Sequence, residues 1–472
     1  MKTTRRQFLQ AAGAGLTASA LSARADQKKP NILFILVDQH RGMDLHCMGN
    51  DDLLTPNLDQ LAGEGILFKD AIANAPLCTP SRATLLTGKY PIAHRCISND
   101  LPLPTDQETI ATVLSRSGYK TGYIGKWHLD GISRHKFTPP GPRRHGFNDY
   151  WAVYNCHHNY FKTKYYLDTP ELIERNGYEP DVQTDLAIEF LREHRSNPFY
   201  LTVSYGPPHA PYELVPENYK VFYDPEKIPI RPNSKNPNRK AVSGYYAHIT
   251  ALDVCVGKLL RTLDELNLRE NTIVVFTSDH GDMLWSHGRI KKQQPWEESI
   301  NVPLIIRHPT QIKSNQQSDL LIGTADLAPT LLSFTGSKIP EEMQGLDLSG
   351  QILEGKGPKH ESIFLVDMLT CDQARQWNGR PWRGVRTDQY TYARFYDEGW
   401  VLYDNQKDPL QMDNLYDNPK HAALQKRMEQ ELQKWLIQLK DEFLSENELL
   451  EKLNLAQAWK ERNEHFQSGK NW

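Results

Sequence analysis

Residues 31–37, Asn-Ile-Leu-Phe-Ile-Leu-Val, make a nearly unbroken apolar run that stops at Asp38-Gln39-His40. Successive side chains of a strand point to opposite faces, so a run apolar at every position has to be covered on both. That requirement excludes a sheet with one wet face and predicts strands sandwiched between helical layers. Three more runs of strand length repeat the pattern and end on reactive side chains. Residues 119–124 lead into Gly125-Lys126-Trp127-His128, residues 199–205 into Gly206-Pro207-Pro208-His209, and residues 272–277 into Ser278-Asp279-His280-Gly281-Asp282. Ligands of open α/β sheets bind outside the carboxyl ends of the strands, so these four ends are expected to meet at one site.

The expected fold class is therefore α/β, a large mixed, mostly parallel sheet sandwiched by helices. Thr55 before Pro56 marks one helix start, Thr105 with Glu108 reads as a capping box before Ile110, and Gly118 stands where that helix would stop. The polar, Gly-rich segment around 350–359 suggests a boundary, giving a catalytic domain over 26–355 and a smaller C-terminal unit over 356–472. In the latter, residues 362–366, 383–386 and 390–395 suggest short antiparallel strands. Leu424, Met428, Leu432 and Leu439 suggest a helix over about 419–444. Residues 445–472 read as a charged helical extension on the surface with no assigned role.

The first 25 residues stand apart. Arg5 and Arg6 precede Phe8 and Leu9, and a short Ala/Gly/Leu segment ends at Ala23-Arg24-Ala25. This pattern matches a twin-arginine export signal, which places the mature chain, from near Asp26, in the periplasm or outside the cell. No segment has the length and apolarity of a membrane span. A formal charge of -3 gives no field for a nucleic-acid partner. The six cysteines lack C-x-x-C spacing, which argues against a zinc ribbon or thioredoxin-like motif and leaves disulfides open.

Asp38, Gln39, Asp279 and His280 offer mainly oxygen ligands with one imidazole. Hard oxygen donors suit calcium or magnesium, and a flexible set favours calcium; the alternative is that the aspartates only cap helices. Cys78-Thr79-Pro80-Ser81-Arg82 puts a cysteine at a helix start with an arginine four residues on. On the residues alone this reads as a thiolate nucleophile, its pKa lowered by Arg82 and the helix N-terminus.

That stretch also resembles the C-x-P-S-R signature of the type I sulfatases, formylglycine-dependent members of the alkaline-phosphatase superfamily. Gly125-Lys126-Trp127-His128-Leu129, Pro208-His209 with Pro211, Asp279-His280-Gly281, Lys292 before Trp296-Glu297, and Leu402-Tyr403-Asp404 through Asn414-Leu415 follow in the family's order. The resemblance implies that a formylglycine-generating maturation enzyme converts Cys78 to an aldehyde. One hydroxyl of its hydrate would attack sulfur and the other would lose a proton to expel sulfate. Residue 78, Asp38, Gln39, Asp279 and His280 would hold calcium, with Gln39 standing where many relatives have a second aspartate. Arg82 would hold the hydrate, Lys126 and Lys292 would neutralise the sulfate, His209 would be the general acid and His128 the base.

Aromatic and basic residues mix in 156–166 and again at Gly379-Arg380-Pro381-Trp382-Arg383. Aromatic faces stack on sugars and guanidiniums hold carboxylates or sulfates, so a sulfated carbohydrate is the expected substrate, with Arg380 and Trp382 as candidate contacts. A phosphodiester or phosphonate monoester hydrolase of the same superfamily is the alternative enzyme. A sulfated-glycan binder with unmodified Cys78 is the non-enzymatic one, which the full acid, base and lysine set argues against.

Overall fold

The computed structural model describes residues 29–371, 374 and 379–469; the expected export signal lies outside the described residues. Eight strands form one large sheet: β1 (Asn31–Asp38), β2 (Ile66–Phe68), β3 (Lys120–Lys126), β4 (Tyr150–Tyr154), β5 (Phe199–Pro208), β6 (Thr272–Ser278), β7 (Leu304–Arg307) and β8 (Gln316–Ser318). Their order is β8-β2-β7-β6-β1-β5-β3-β4. Only β7 runs against its neighbours, β6 and β2. The sheet is mixed and mostly parallel, as the apolar runs require.

β1 shows why. Ile32, Phe34 and Leu36 enter one core cluster while Leu33, Ile35 and Val37 enter another on the opposite face. On the first side lie α2 (Cys78–Thr87) and α3 (Ile110–Arg116), and on the second α4 (Glu179–Glu193) and α5 (Arg239–Glu265); α1 (Pro56–Gly63) joins the second face through Leu58 and Leu61. The four strands with reactive ends, β6, β1, β5 and β3, are consecutive neighbours.

Two helix starts differ in detail from expectation. Pro56 does open α1, but the Thr55 hydroxyl donates to Asp59 and accepts from the His46 amide rather than capping its own helix. α3 is capped by Thr109, whose hydroxyl accepts from the Thr112 amide while the Thr112 hydroxyl accepts from the Thr109 amide. The cap belongs to the residue next to the first buried position, Ile110, and Thr105 lies too far upstream.

After Ser362 the chain forms a four-stranded antiparallel sheet, β9 (Ser362–Asp367), β10 (Trp382–Thr387), β11 (Tyr390–Phe395) and β12 (Gly399–Asp404), in that spatial order. β12 had no counterpart among the expected strands. α6 (Ala422–Leu439) packs on this sheet, ending earlier than expected because Lys440 turns left-handed at φ 54°. α7 (Glu446–Lys452) and α8 (Ala456–Gln467) are helical as expected but not merely superficial. Leu449, Leu450 and Trp459 are buried in a cluster that also holds Ile97 and Leu101, so the tail packs onto the large domain. No disulfide joins the six cysteines. Among the described residues, no helix is long and apolar enough to cross a membrane.

Candidate active site

Asp38 is the last residue of β1 and Lys126 the last of β3, while His209 directly follows β5 and Asp279 follows β6. Cys78 opens α2, every residue of which is buried. One turn on, Arg82 binds all four strand ends together. Its Nε donates to Asp279 (2.9 Å), Nη2 to Asp38 (3.3 Å), and Nη1 to the Lys126 carbonyl (2.9 Å) and the Ser204 hydroxyl of β5 (2.7 Å). The guanidinium expected to hold a hydrate is thus already committed to the scaffold.

β3 reaches this point through Gly125 at φ 99°, where a Cβ would stand 2.1 Å from the Ser204 carbonyl oxygen. Gln39 (φ 72°) and His128 (φ 57°) also adopt left-handed backbone, unusual for residues with a Cβ and concentrated at functional sites.

Asp38, Cys78, Asp279 and His280 are all buried and present ligand atoms within 4.8 Å of one another. The Gly281 carbonyl can only accept, so His280 Nδ1 donates to it (3.0 Å) and Nε2 faces Cys78 Sγ at 3.3 Å. A carbonyl that fixes the tautomer and aims the other nitrogen is the usual support of a metal-binding histidine. Two carboxylates and one oriented imidazole around residue 78 fit a divalent cation. Gln39 sits at the edge of this set: its amide donates to Asp282 and its oxygen accepts from Lys292 Nζ, both at 2.6 Å. Of the adjacent lysines, the structure brings Lys292 to the site, while Lys291 gives Asp282 a backbone N–H.

Lys126 Nζ touches Asp38 and lies 3.8 Å from Cys78 Sγ. Burial and Asp38 oppose ionisation of the Cys78 thiol, but Lys126, Lys292 and His280 together hold it well below the usual thiol value. Burial works against Asp38 as well, and Lys126, Arg82 and Lys292 overcome it to keep the carboxylate ionised.

The two histidines expected to act as acid and base differ in environment. His209 Nδ1 donates to the Ala210 carbonyl (2.6 Å), leaving Nε2 for chemistry, and its ring stacks on His158 at 4.2 Å. Burial, Lys292 and His158 depress its pKa strongly. His128 Nε2 faces Asp100 Oδ1 at 3.1 Å; burial alone would lower it, but Cys156 and Asp100 raise it to about 10. In the resting site the proton is therefore on His128 and off His209, the inverse of what a base and an acid need at the start of turnover.

Of the substrate candidates, Trp382 cannot serve as expected. Trp382 is 1% exposed, packed in the core beneath β10 with its indole N–H on the Gln293 carbonyl. Arg380 is on the surface, paired with Asp397 and Glu398. Alternation along β10 sends Trp382 inward, so its ring cannot offer a face to a sugar. Sequence reading missed Asp100 and Arg134, and took Cys156 and His158 only as part of the aromatic and basic stretch 156–166 expected to meet a sugar. Cys156 and His158 follow β4, a fifth parallel strand whose end obeys the same rule as the other four; Asp100 lies in an irregular segment without such a signal.

A family model described as "Sulfatase" matches residues 30–337, and one described as "N-sulphoglucosamine sulphohydrolase, C-terminal" matches residues 286–438. The chain is 41% identical to an "Ulvan-active sulfatase" of Formosa agariphila over 90% of this chain and 84% of that one. It is 28% identical to an "N-acetylglucosamine-6-O-sulfatase" of Bacteroides thetaiotaomicron, over 93% and 92%. The Bacteroides fragilis structure named for the sulfatase yidJ superposes with a TM-score of 0.81 at 35% identity, covering 89% of this chain and 98% of that one. Spanning nearly the whole described chain and agreeing with the convergence of Cys78, Arg82, Lys126 and His209 on one sheet edge, these likenesses establish that the chain belongs to the sulfatase family of the alkaline-phosphatase superfamily and is a sulfuric ester hydrolase.

Proposed function

We propose that the protein hydrolyses sulfate esters of a carbohydrate, using residue 78 as formylglycine beside a calcium ion. The observation that carries this is the place of Cys78: first residue of a buried helix, 3.3 Å from the oriented His280 nitrogen and 3.8 Å from Lys126. When present, the aldehyde hydrate and the cation would supply an activated hydroxyl nucleophile and the second hydroxyl through which sulfate is expelled. Asp38, Asp279, His280 and residue 78 would hold the ion, with the Gln39 oxygen completing the set.

The chain's own residues do the rest. Lys126 and Lys292 receive the sulfate oxygens and offset the charge that builds on them. A sulfate ester brings negative charge to His209, which returns the proton that Lys292 and burial remove, so the loaded site has its acid for the leaving alcohol. His128 becomes the base once it releases the proton that Asp100 and Cys156 hold. The sulfated-carbohydrate reading is supported by the names of the relatives above, not by Trp382. Export through the twin-arginine segment, after modification inside the cell, belongs to the same reading.

The deciding experiment co-expresses the chain with a formylglycine-generating enzyme and weighs the tryptic peptide Asp70–Arg82. An aldehyde in place of the thiol, with sulfate released from sulfated oligosaccharides by the parent and not by Cys78→Ala, is the expected result. An intact thiol, or faster cleavage of phosphodiesters and phosphonate monoesters than of sulfate esters, would overturn it.

A further inference from the structure

The last helix of the chain ends beside the catalytic site. Asp100, fully buried, meets His128 Nε2 on one side and the Arg134 fork on the other, with both Arg134 contacts at 2.8 Å. A second guanidinium arrives from α8: Arg462, 2% exposed, places Nη2 3.8 Å from Asp100 Oδ2. Both arginines lie over the same ring, Phe466 of α8, at 4.9 and 4.3 Å from its centre, and Arg462 also covers Trp459. Trp459 is packed in one cluster with Leu101, the neighbour of Asp100. Asn99 accepts from the Thr79 amide and the Thr79 hydroxyl donates to the His128 carbonyl, so this segment is also tied to the helix that carries residue 78.

We propose that α8 is a working part of the active site, with Arg462 a positioning residue that joins Arg134 in holding Asp100 against His128. The inference rests on the sulfatase reading, with His128 as the base. Its physical content is a division of charge. Each guanidinium on Asp100 weakens the carboxylate's hold on the His128 proton; without Arg462, more of that charge is left to the imidazolium and the proton is harder to remove. Other groups bear on the pair. Cys156 faces His128 from the end of β4, Lys126, His158 and Arg134 face Cys156, and Cys96 faces Asp100 from its own loop.

The test uses the full-length, aldehyde-bearing enzyme with Arg462→Met and Arg462→Lys. For Arg462→Met, kcat/KM should rise with pH along a limb displaced upward by about half to one unit, a loss of about 3–10-fold at neutral pH that closes at alkaline pH. Arg462→Lys should recover most of it. A loss equal at every pH, or a rise in KM alone, would assign Arg462 to folding or to substrate binding and overturn the proposal. Nitrogen-15 histidine spectra read the same coupling without turnover. The resonance absent from His128→Gln should titrate at higher pH in Arg462→Met than in the parent, and an unchanged titration would refute the link even if no sulfatase activity were found.

Discussion

Lys292 Nζ donates to Gln39 Oε1 at 2.6 Å while the other end of the same amide donates to Asp282 at the same distance. Gln39 is thus a polarity adaptor: it shows an oxygen to a cation and an N–H to a carboxylate, which no charged residue of that size can do. Gln39→Glu keeps the Lys292 contact but sets two carboxylates against each other in a buried site, and is expected to cost about 10- to 100-fold in activity. Exchanging the partners, Gln39→Glu with Asp282→Asn, restores a donor facing an acceptor. Steady-state rates for the two singles and the double should show recovery; a double variant no better than Gln39→Glu would refute the adaptor role.

Arg82 should prove more important for stability than its place in a catalytic motif implies. One buried guanidinium reaches β1, β3, β5 and Asp279 with three nitrogens, and an ammonium cannot reproduce that fork. Arg82→Lys leaves at least one of Asp38 and Asp279 poorly compensated, for which about 3–5 kcal/mol is the expected scale. Urea unfolding of the unmodified protein measures this without reference to turnover. A loss below about 1 kcal/mol would show that the strand ends hold together without the fork.

Much of this site was legible before the structure, and for one reason: a parallel strand fixes where its next side chain goes. Asp38, Lys126, His209 and Asp279 all follow from reading apolar runs to their ends, and their convergence needed only that β6, β1, β5 and β3 be neighbours. Roles that depend on contacts from distant segments were not legible. Nothing local in Arg462 points 362 residues back to Asp100, and the proton states of His128 and His209 follow from Cys156, Asp100 and Lys292 rather than from their own neighbours in sequence.

Trp382 is not available to a substrate, which composition could not foretell because it does not say which way a side chain faces; both its burial and the part played by Arg380 are testable. Trp382→Ala empties a fully buried indole site and should lower stability by about 3–5 kcal/mol. Arg380→Ala breaks exposed pairs with Asp397 and Glu398 and a contact over the Phe395 ring, together worth about 1–2 kcal/mol at most. Neither should alter KM for a sulfated oligosaccharide once the folded fraction is matched. A tenfold KM increase in Arg380→Ala would place that residue at the substrate site.

Glu179 gives the protein a pH-dependent weakness. It is buried at the start of α4, accepts from Gln183, and faces His157 at 3.2 Å, a ring that burial and His158 keep neutral. Burial pushes the Glu179 carboxyl up to about 8; Gln183 and Lys126 offset only part of that. The unfolded carboxyl titrates near 4.5, so between that pH and 8 the folded state binds the extra proton. Folding stability from this group is complete below pH 4.5 and is lost as pH rises through 8, by up to about 1.4 kcal/mol per unit. Glu179→Gln cannot ionise and keeps the acceptor for Gln183, so its stability relative to the parent should improve steadily from pH 5 to pH 8. Other groups with raised values, Asp367 at about 7 and Asp253 at about 6, are common to both proteins and cancel in the difference. Paired urea unfolding curves at pH 5, 6.5 and 8 measure it, and a difference that stays constant across them would show that Glu179 ionises in the folded protein as freely as in water.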